Sequence, residues 1–269
     1  MISVAHLPMY DLPEVRTATD ALWRGIAARL RAAGVAEVPL ALSRHLTHEE
    51  GWHHPGLLFG QSCGYPTVYA YRAMLRIVAA PIYDAPGCSG TTHRSFLLVP
   101  VDSPARTIAD LRGKRFALSA WDSNTGMNLA RLALAPLAEG GRFLGEIVET
   151  GGHAASLVLL ADRGADVAAI DCVSYALFVR NRPALAARTR ILAPTAPSPT
   201  LPFVTARTNG DATVRALRDA LAGAFSDPAL ADSRAVLFLA GIMPADEADY
   251  SILRDYENAA RSLGYARLG

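Results

Sequence analysis

One polar turn combines the residue types that can hold an oxyanion. Its residues are Ser123, Asn124, Thr125 and Gly126, and it follows a predicted strand over 115–118. Because Thr125 opens a predicted helix, the first backbone amides there lack helical partners and the helix dipole is positive. The hydroxyls of Ser123 and Thr125 add donors, and the glycine allows a ligand to approach the backbone. A simpler interpretation of the same residues is that Ser123 or Asn124 only caps the helix.

Two other polar residues occupy comparable junctions between predicted strands and helices. His153 follows two glycines and precedes a predicted helix, so it either donates to an anionic oxygen or serves the structure alone. Asp171 ends an apolar strand, and ligands bind beyond the carboxyl ends of such strands. The alternative for Asp171 is a helix N-cap. If Asp171 faces the ligand, it favours a phosphate or phosphonate that carries a proton, or a ligand with an amine, over sulfate.

Three aromatic residues are predicted to line the same site, namely Tyr10, Tyr65 and Trp121. Tyr10 and Tyr65 each follow a predicted strand, where a tyrosine offers both an apolar wall and a hydroxyl. Trp121 stands just before the polar turn and is placed at its mouth. Packing within the core is the alternative for the two tyrosines.

Neither a metal nor a cofactor is predicted. The stretch 45–54 contains four histidines, but it lacks the HExxH zinc motif, and His48 and His53 do not share a helix face. Thr47 and Glu50 indicate a capping box at the start of a solvated helix instead. No catalytic or nucleotide-binding fingerprint is present, so no turnover is expected and the protein is predicted not to be an enzyme.

The three cysteines, Cys63, Cys88 and Cys172, do not indicate a disulfide framework, because their number is odd. A pairing of Cys63 with Cys88 stays open if the protein is exported. Cys172 is interpreted as a small buried residue.

Short apolar runs alternate with longer amphipathic stretches along the chain, which is the pattern of an α/β protein. Strands are predicted over Ile2–Leu7, Val38–Leu42, Leu57–Gln61, Arg76–Ala80, Ser95–Pro100, Arg115–Leu118, Gly145–Glu149, Val167–Ile170 and Arg190–Ala193. Helices are predicted over Glu14–Ala33, Pro66–Tyr71, Thr107–Arg112, Thr125–Ala138, Ala154–Arg163, Cys172–Arg182, Asp211–Phe225, Ala229–Phe238 and Asp246–Leu263. Gly34 is placed just after the end of the first helix, and Asp227 with Pro228 indicates a helix start.

Two stretches are predicted to be crossovers between lobes. The first is a strand and a proline-bearing turn over 95–104, and the second is 194–202, where four prolines in nine residues indicate a stiff extended connector. The segment 97–198 between them is predicted to form an inserted lobe II that carries the polar turn. The flanking segments, 1–96 and 199–269, would together form a discontinuous lobe I.

Composition narrows the class of protein. The chain has 269 residues, of which 51% are hydrophobic and 19% charged, which excludes a disordered chain. Its 26 basic and 25 acidic residues give a net charge of +1, so no nucleic-acid partner is expected. No apolar run reaches 18 residues, which predicts no membrane span. The start of the sequence carries no secretory signal, so a cytoplasmic protein is expected, or a periplasmic one if an exported chain has already been trimmed.

Three motifs resemble those of one family. Leu111–Leu118 followed by Asp122–Gly126 resembles the "DLRGKRVAF…DSxSG" segment of phosphate/phosphite/phosphonate-type ABC-transporter solute-binding proteins. Gly151–Ser156 resembles that family's "GSH" turn, and Ala165–Tyr175 resembles its "ADVAAIDSVTY" run. The three motifs occur in the family's order and spacing.

The resemblance implies the type II periplasmic-binding fold, with two α/β lobes, two hinge strands and a ligand between the lobes. It implies a monomeric protein that binds a small phosphonate-like or phosphate-like oxyanion by hinge closure, without catalysis, for an ABC permease. Two alternatives stay open on the sequence alone. One is a cytoplasmic enzyme on the same fold, of the kind found in menaquinone or thiamine pathways, and the other is a ligand sensor.

Overall fold

The structure is a computed structural model that describes residues 3–269. The chain divides into two compact units. The first unit comprises the chain up to Asp84, together with Ser89–Thr91 and Pro199–Tyr250. The second unit comprises Ala85–Cys88, Thr92–Ser198 and Ser251–Gly269. Each unit contains a five-stranded sheet and its own helices.

The strands are β1 (Val4–His6), β2 (Leu57–Gln61), β3 (Leu75–Tyr83), β4 (Thr92–His93), β5 (Ser95–Pro100), β6 (Arg115–Leu118), β7 (Glu146–Glu149), β8 (Val167–Asp171), β9 (Thr189–Pro194), β10 (Ser198–Pro199), β11 (Phe203–Ala206) and β12 (Leu239–Pro244). The α-helices are α1 (Arg16–Ala32), α2 (His48–His53), α3 (Gly64–Val68), α4 (Leu129–Leu134), α5 (His153–Ala161), α6 (Cys172–Asn181), α7 (Pro183–Ala186), α8 (Asp211–Ser226), α9 (Ala231–Val236) and α10 (Ile252–Ser262). Short 3-10 turns cover Pro13–Val15, Ile108–Leu111, Ala135–Leu137, Pro228–Leu230 and Ala248–Tyr250, and a π-helix covers Asn124–Asn128.

The sheet of the first unit has the strand order β1-β2-β11-β3-β12. β1 pairs with β2 in parallel, whereas β11 and β12 pair with their neighbours antiparallel. Helix α1 covers this sheet because Leu22, Ile26 and Leu30 recur every four residues and form one buried face. Trp23 of α1 stacks on Phe59 of β2, with ring centroids 5.8 Å apart. These contacts place the core of the first unit between α1 and the sheet.

The sheet of the second unit has the order β7-β6-β8-β5-β9. β6 pairs in parallel with both β7 and β8, and β5 pairs antiparallel with β8 and β9. All five residues of β8 are buried, as expected for a central strand with both faces covered. Because β6 and β8 are parallel neighbours, the residues that follow both strands meet at one edge of the sheet.

The end of the chain packs with the second unit, which differs from the sequence-based assignment of 199–269 to lobe I. The buried side chain of Asn128 donates to the carbonyl of Leu253 over 3.2 Å. The buried Arg131 guanidinium donates to the carbonyl of Ala266 over 2.9 Å. Both polar groups need acceptors inside the unit, since an unpaired buried donor costs free energy, and the C-terminal segment supplies them.

Most predicted elements occur, with shifted ends. The prediction of a strand over Val38–Leu42 is wrong. The Arg31 guanidinium donates hydrogen bonds to the carbonyls of Val38 and Pro39, which a neighbouring strand would otherwise need, and Leu40 is exposed. Of the first predicted strand, Ile2 lies outside the described residues. The helix predicted over Thr125–Ala138 divides into the π-helix, α4 and a 3-10 turn.

Several local signals are confirmed. Gly34 has φ +77° just after the end of α1, and the Asp227 carboxylate accepts from the Ala229 amide over 2.9 Å. Thr47 and Glu50 form the predicted capping box at the start of α2.

Within residues 3–269, no helix combines the length and apolar character needed to cross a bilayer.

Replacing Leu253 by alanine tests the packing of the C-terminal segment. Leu253 is fully buried in α10, which packs against α4, so the cavity should cost about 2–5 kcal/mol in the free energy of unfolding. The neighbouring Ile252→Ala is the matched control, because Ile252 is exposed and should change that free energy little. Hydrogen exchange should show protection lost in α4 of the second unit, and loss confined to α8 of the first unit would contradict this packing.

Candidate functional site

The polar turn begins at Ser123, four connecting residues after β6 ends at Leu118. Ser123 has an extended backbone and caps the π-helix, since its Oγ accepts from the Gly126 amide over 2.9 Å. The Ser123 carbonyl also accepts from the amides of Met127 and Asn128. The capping interpretation is therefore observed for Ser123. Capping does not exclude ligand binding, because a hydroxyl that accepts one hydrogen bond still has its own hydrogen to donate.

Thr125 is held at both ends inside the second unit. Its carbonyl accepts a hydrogen bond from the Ser95 hydroxyl over 2.7 Å, which ties the turn to the start of β5. Its own hydroxyl lies 2.9 Å from Nε2 of His153, at the start of α5. The structure thus brings together two predicted site residues that are 28 positions apart.

The Asn124 side chain points into the second unit. Its amide nitrogen donates to the Ser198 hydroxyl over 2.9 Å, and its carbonyl oxygen accepts from Asn128 over 3.3 Å. Asn128 in turn accepts from Arg131 over 2.7 Å. These buried bonds fix the path of the turn, so the part of Asn124 available to a ligand is its backbone rather than its amide side chain.

Gly126 is required by close packing. A Cβ built on Gly126 would lie 1.8 Å from the Ser119 hydroxyl and 3.1 Å from the Ser123 hydroxyl. A side chain at position 126 would displace the Ser119 hydroxyl and crowd the Ser123 hydroxyl. Gly126 therefore keeps Ser119 and Ser123 close to the backbone of the polar turn, in addition to any role in admitting a ligand.

His153 opens α5 after a glycine turn. Gly151 adopts φ +86°, a conformation that favours glycine, and Gly152 is the extended N-cap. Burial of the imidazole lowers the pKa of His153; the Asp171 carboxylate opposes this shift, and His93 adds to it. The ring is therefore neutral near pH 7, and it meets the Thr125 hydroxyl as a hydrogen-bonding group rather than as a cation.

Asp171 ends β8 and caps α6, so its alternative interpretation is also observed. One carboxylate oxygen accepts from the Ser174 amide over 2.9 Å, and the other lies 2.7 Å from Nδ1 of the buried His93. Burial acts to raise the pKa of Asp171, but His93, His153 and the hydrogen bond from the Ser174 amide together outweigh it, and the net pKa is lowered. Asp171 is thus an ionised carboxylate inside a buried polar cluster.

Sequence reasoning missed His93. Antiparallel pairing of β5 with β8 sets Ser95 opposite Asp171, which brings the preceding residues of the chain beside the carboxylate. The signal would have been the register of these two strands, and two apolar runs alone do not determine a register.

The aromatic candidates fall in both units. Tyr10 and Tyr65 belong to the first unit, where Tyr10 packs edge-on against Tyr83 and Tyr65 packs against Tyr69. Trp121 belongs to the second unit, and its ring lies 4.6 Å from the Arg267 guanidinium carbon. Their role towards a ligand stays a prediction.

A separate cavity of about 330 Å³ in the second unit contains Lys114 and Arg163. Asp102, Asp110 and Asp166 line the same cavity, and Asp102 pairs with Arg163. With three carboxylates and two cations, this cavity has no excess of positive charge that would favour an anion. Among residues 3–269, no group of three His, Cys, Asp or Glu side chains is arranged to hold a metal ion.

The family profile described as the periplasmic substrate-binding protein of a phosphonate ABC transporter matches residues 59–251. The chain belongs to this family. Its members are solute-binding proteins rather than enzymes, which confirms the expected function class. No curated protein sequence matches the chain significantly.

Solved structures confirm the type II periplasmic-binding fold of this family member. A binding-protein component of a phosphonate ABC transporter from Pseudomonas aeruginosa has a TM-score of 0.78. It is 14% identical, and the match covers 98% of this chain and 88% of that one. PhnD1 from Prochlorococcus marinus, in complex with methylphosphonate, gives 0.73 at 14% identity over 98% of both chains. A Xanthomonas citri protein bound to ATP gives 0.70 at 17% identity over 98% of both chains.

The lowered pKa of His153 predicts a dependence of stability on pH. The unfolded chain takes up the proton first as pH falls below about 6.5, so stability should decrease on acidification through that region. His153→Gln removes this contribution. The difference in unfolding free energy between wild type and variant should therefore change by at most about 1.4 kcal/mol per pH unit.

Denaturant titrations between about pH 5.5 and 7.5 measure this difference, in a range above the pKa of free aspartate. His6, whose pKa burial also lowers, is present in both proteins and cancels. Parallel stability curves for wild type and His153→Gln would contradict a lowered pKa at His153.

Proposed function

We propose that this chain binds a phosphonate-like or phosphate-like oxyanion at the turn 123–126 of its second unit and presents it to an ABC permease. Membership of the family indicates a substrate-binding protein of a phosphonate transporter, with a small ligand and a permease partner. The proposal that the turn binds the anion rests on one contact. Thr125 Oγ1 lies 2.9 Å from His153 Nε2 at the start of a buried helix.

The proposed site attracts the anion by dipoles rather than by a cation. The turn offers hydroxyls of Ser123 and Thr125 beside the first amides of a helix, where the dipole favours negative charge. If Nε2 of the neutral His153 carries the ring proton, it donates to the Thr125 hydroxyl and leaves that hydroxyl's hydrogen for the ligand. Hydrogen bonds to a charged ligand contribute roughly 1.5–3 kcal/mol each.

Asp171 is proposed to set which oxyanion is accepted. An oxyanion that carries a proton can donate to a carboxylate while it accepts from the helix amides, whereas a fully ionised anion meets an added negative charge. The bond to His93 holds the Asp171 carboxylate ionised within the buried cluster. Phosphonates and phosphates, which keep a proton near neutral pH, are therefore favoured over sulfonates and sulfate.

The remaining expectations extend the proposal to the first unit. Tyr10 and Tyr65 are proposed to contribute apolar walls to the bound ligand, with Trp121 at the mouth of the turn. Closure of the two units on the ligand, which the fold of the family implies, stays a prediction.

Thr125→Val removes one hydroxyl while it keeps the branched shape of the side chain. Its affinity for methylphosphonate, measured by calorimetric titration, should fall about ten- to hundredfold, since the lost bond is to a charged ligand. Thr107→Val is the matched control, because Thr107 caps an exposed 3-10 turn of the same unit. An affinity loss equal in the two variants, or a loss matched by an equal drop in the stability of the ligand-free protein, would assign Thr125 a purely structural role.

Asp171→Asn tests selectivity. An asparagine still accepts from the Ser174 amide and keeps the helix cap, but it can also donate to the ligand. Wild type should bind methylphosphonate more tightly than methanesulfonate, and less tightly above the second pKa of the phosphonate. The variant should narrow that preference. If wild type binds methylphosphonate and methanesulfonate equally well, and Asp171→Asn changes neither affinity, the role of Asp171 is limited to capping its helix.

A further inference from the structure

We propose that Cys88 and Cys172 form a reversible disulfide that anchors the chain segment 85–88 to the start of α6. Their sulfur atoms lie 3.5 Å apart, and both residues belong to the second unit. This pair differs from the Cys63–Cys88 pairing that the sequence left open, since Cys63 belongs to the first unit.

The backbone around the two cysteines is held in place independently of the sulfur atoms. Gly87 adopts φ +99°, and a Cβ built on it would lie 3.0 Å from the Cys172 Cβ, so only glycine allows this approach. The Cys172 amide donates to the Arg94 carbonyl over 2.9 Å, and the Arg94 guanidinium donates to the Gly87 carbonyl over 3.2 Å. One residue thus fixes both segments, and bond formation needs the sulfur atoms to approach to about 2.05 Å.

The two thiols differ in access. Cys88 is half-buried, whereas Cys172 is fully buried at the first position of α6. The hydrogen bond with Cys88, together with burial, raises the pKa of the Cys172 thiol. Cys88 is therefore the thiol that meets an oxidant from solvent, and Cys172 is the thiol that completes the reaction inside the protein.

The oxidant is a small disulfide such as oxidised glutathione, and the reaction is thiol–disulfide exchange. The Cys88 thiolate attacks one sulfur of the oxidant, forms a mixed disulfide and releases one glutathione thiolate. The Cys172 thiol then loses its proton, attacks the Cys88 sulfur and releases the second glutathione as a thiolate, which takes up a proton. Because the pKa of the Cys172 thiol is raised, this second exchange is the slower step. The protein loses two protons and two electrons, and the oxidant takes up both to become two glutathione thiols.

This bond would have a structural consequence. It joins two residues 84 positions apart and so closes a loop that includes β5, β6 and β8. Such a bond lowers the conformational entropy of the unfolded chain and thereby stabilises the folded protein. It also joins the segment 85–88 to the residue that follows Asp171. The inference does not depend on the proposed ligand, because the two sulfur atoms are placed by packing alone.

The test uses the full chain with Cys63→Ser, which leaves the proposed pair as the only thiols. Incubation of the folded protein with excess oxidised glutathione should remove both thiols without attaching glutathione, with the mass falling by two hydrogens. Proteolysis without reductant should yield one peptide pair that joins Cys88 to Cys172. The oxidised protein should melt at a higher temperature than the reduced one, and dithiothreitol should reverse the change.

Two controls keep the result falsifiable. Cys63→Ser with Cys172→Ser retains Cys88 and should stop at the mixed disulfide with glutathione. In the Cys63→Ser background, Cys88→Ser adds a change at a half-buried position only, and Cys172 should stay an unreacted thiol. A stable glutathione adduct in the protein that retains both Cys88 and Cys172, or two thiols left unreacted in it, would overturn the proposal.

Discussion

Buried polar groups at the junctions between strands and helices determine how the second unit is built. Thr125 finds its partner in His153, Asn124 finds its partner in Ser198, and Asp171 is bonded to Ser174 and His93. A buried polar group left without a partner costs about 1–3 kcal/mol, so these contacts have to form together with the sheet. The polar turn therefore has one shape only when β5, β8 and α5 are all in place around it.

This constraint also bears on the proposed anion site, which holds few charges. In that proposal the rigid turn directs helix amides and hydroxyls to one edge of the sheet, so that little reorganisation is needed when an oxyanion binds. Burial keeps His153 neutral, while the His93–Asp171 pair places an ionised carboxylate in the same cluster. A ligand that accepts several hydrogen bonds and also donates one satisfies this combination better than an anion that only accepts.

The sequence predicted the architecture well because its signals there are local. The strands Ser95–Pro100 and Arg115–Leu118 have the predicted bounds, and Gly34 and Asp227 act at helix ends as expected. The sequence singled out its candidate residues by their places at or after the ends of strands, and it gave no indication of the partners that hold them. His93, Ser198 and the Cys88–Cys172 contact depend on strand register and on packing between distant segments, which no local pattern contains. The false strand at Val38–Leu42 shows the converse, since Arg31 takes carbonyls that a sheet would have used.

The central claim is that the turn 123–126 holds the anion, and an NMR titration of isotopically labelled protein with methylphosphonate tests it most directly. The account predicts that the backbone amide signals of Asn124, Thr125 and Gly126 and the imidazole signals of His153 shift together as the site fills. Binding with shifts confined to the cavity that contains Lys114 and Arg163, while the signals of the turn stay unchanged, would contradict the account.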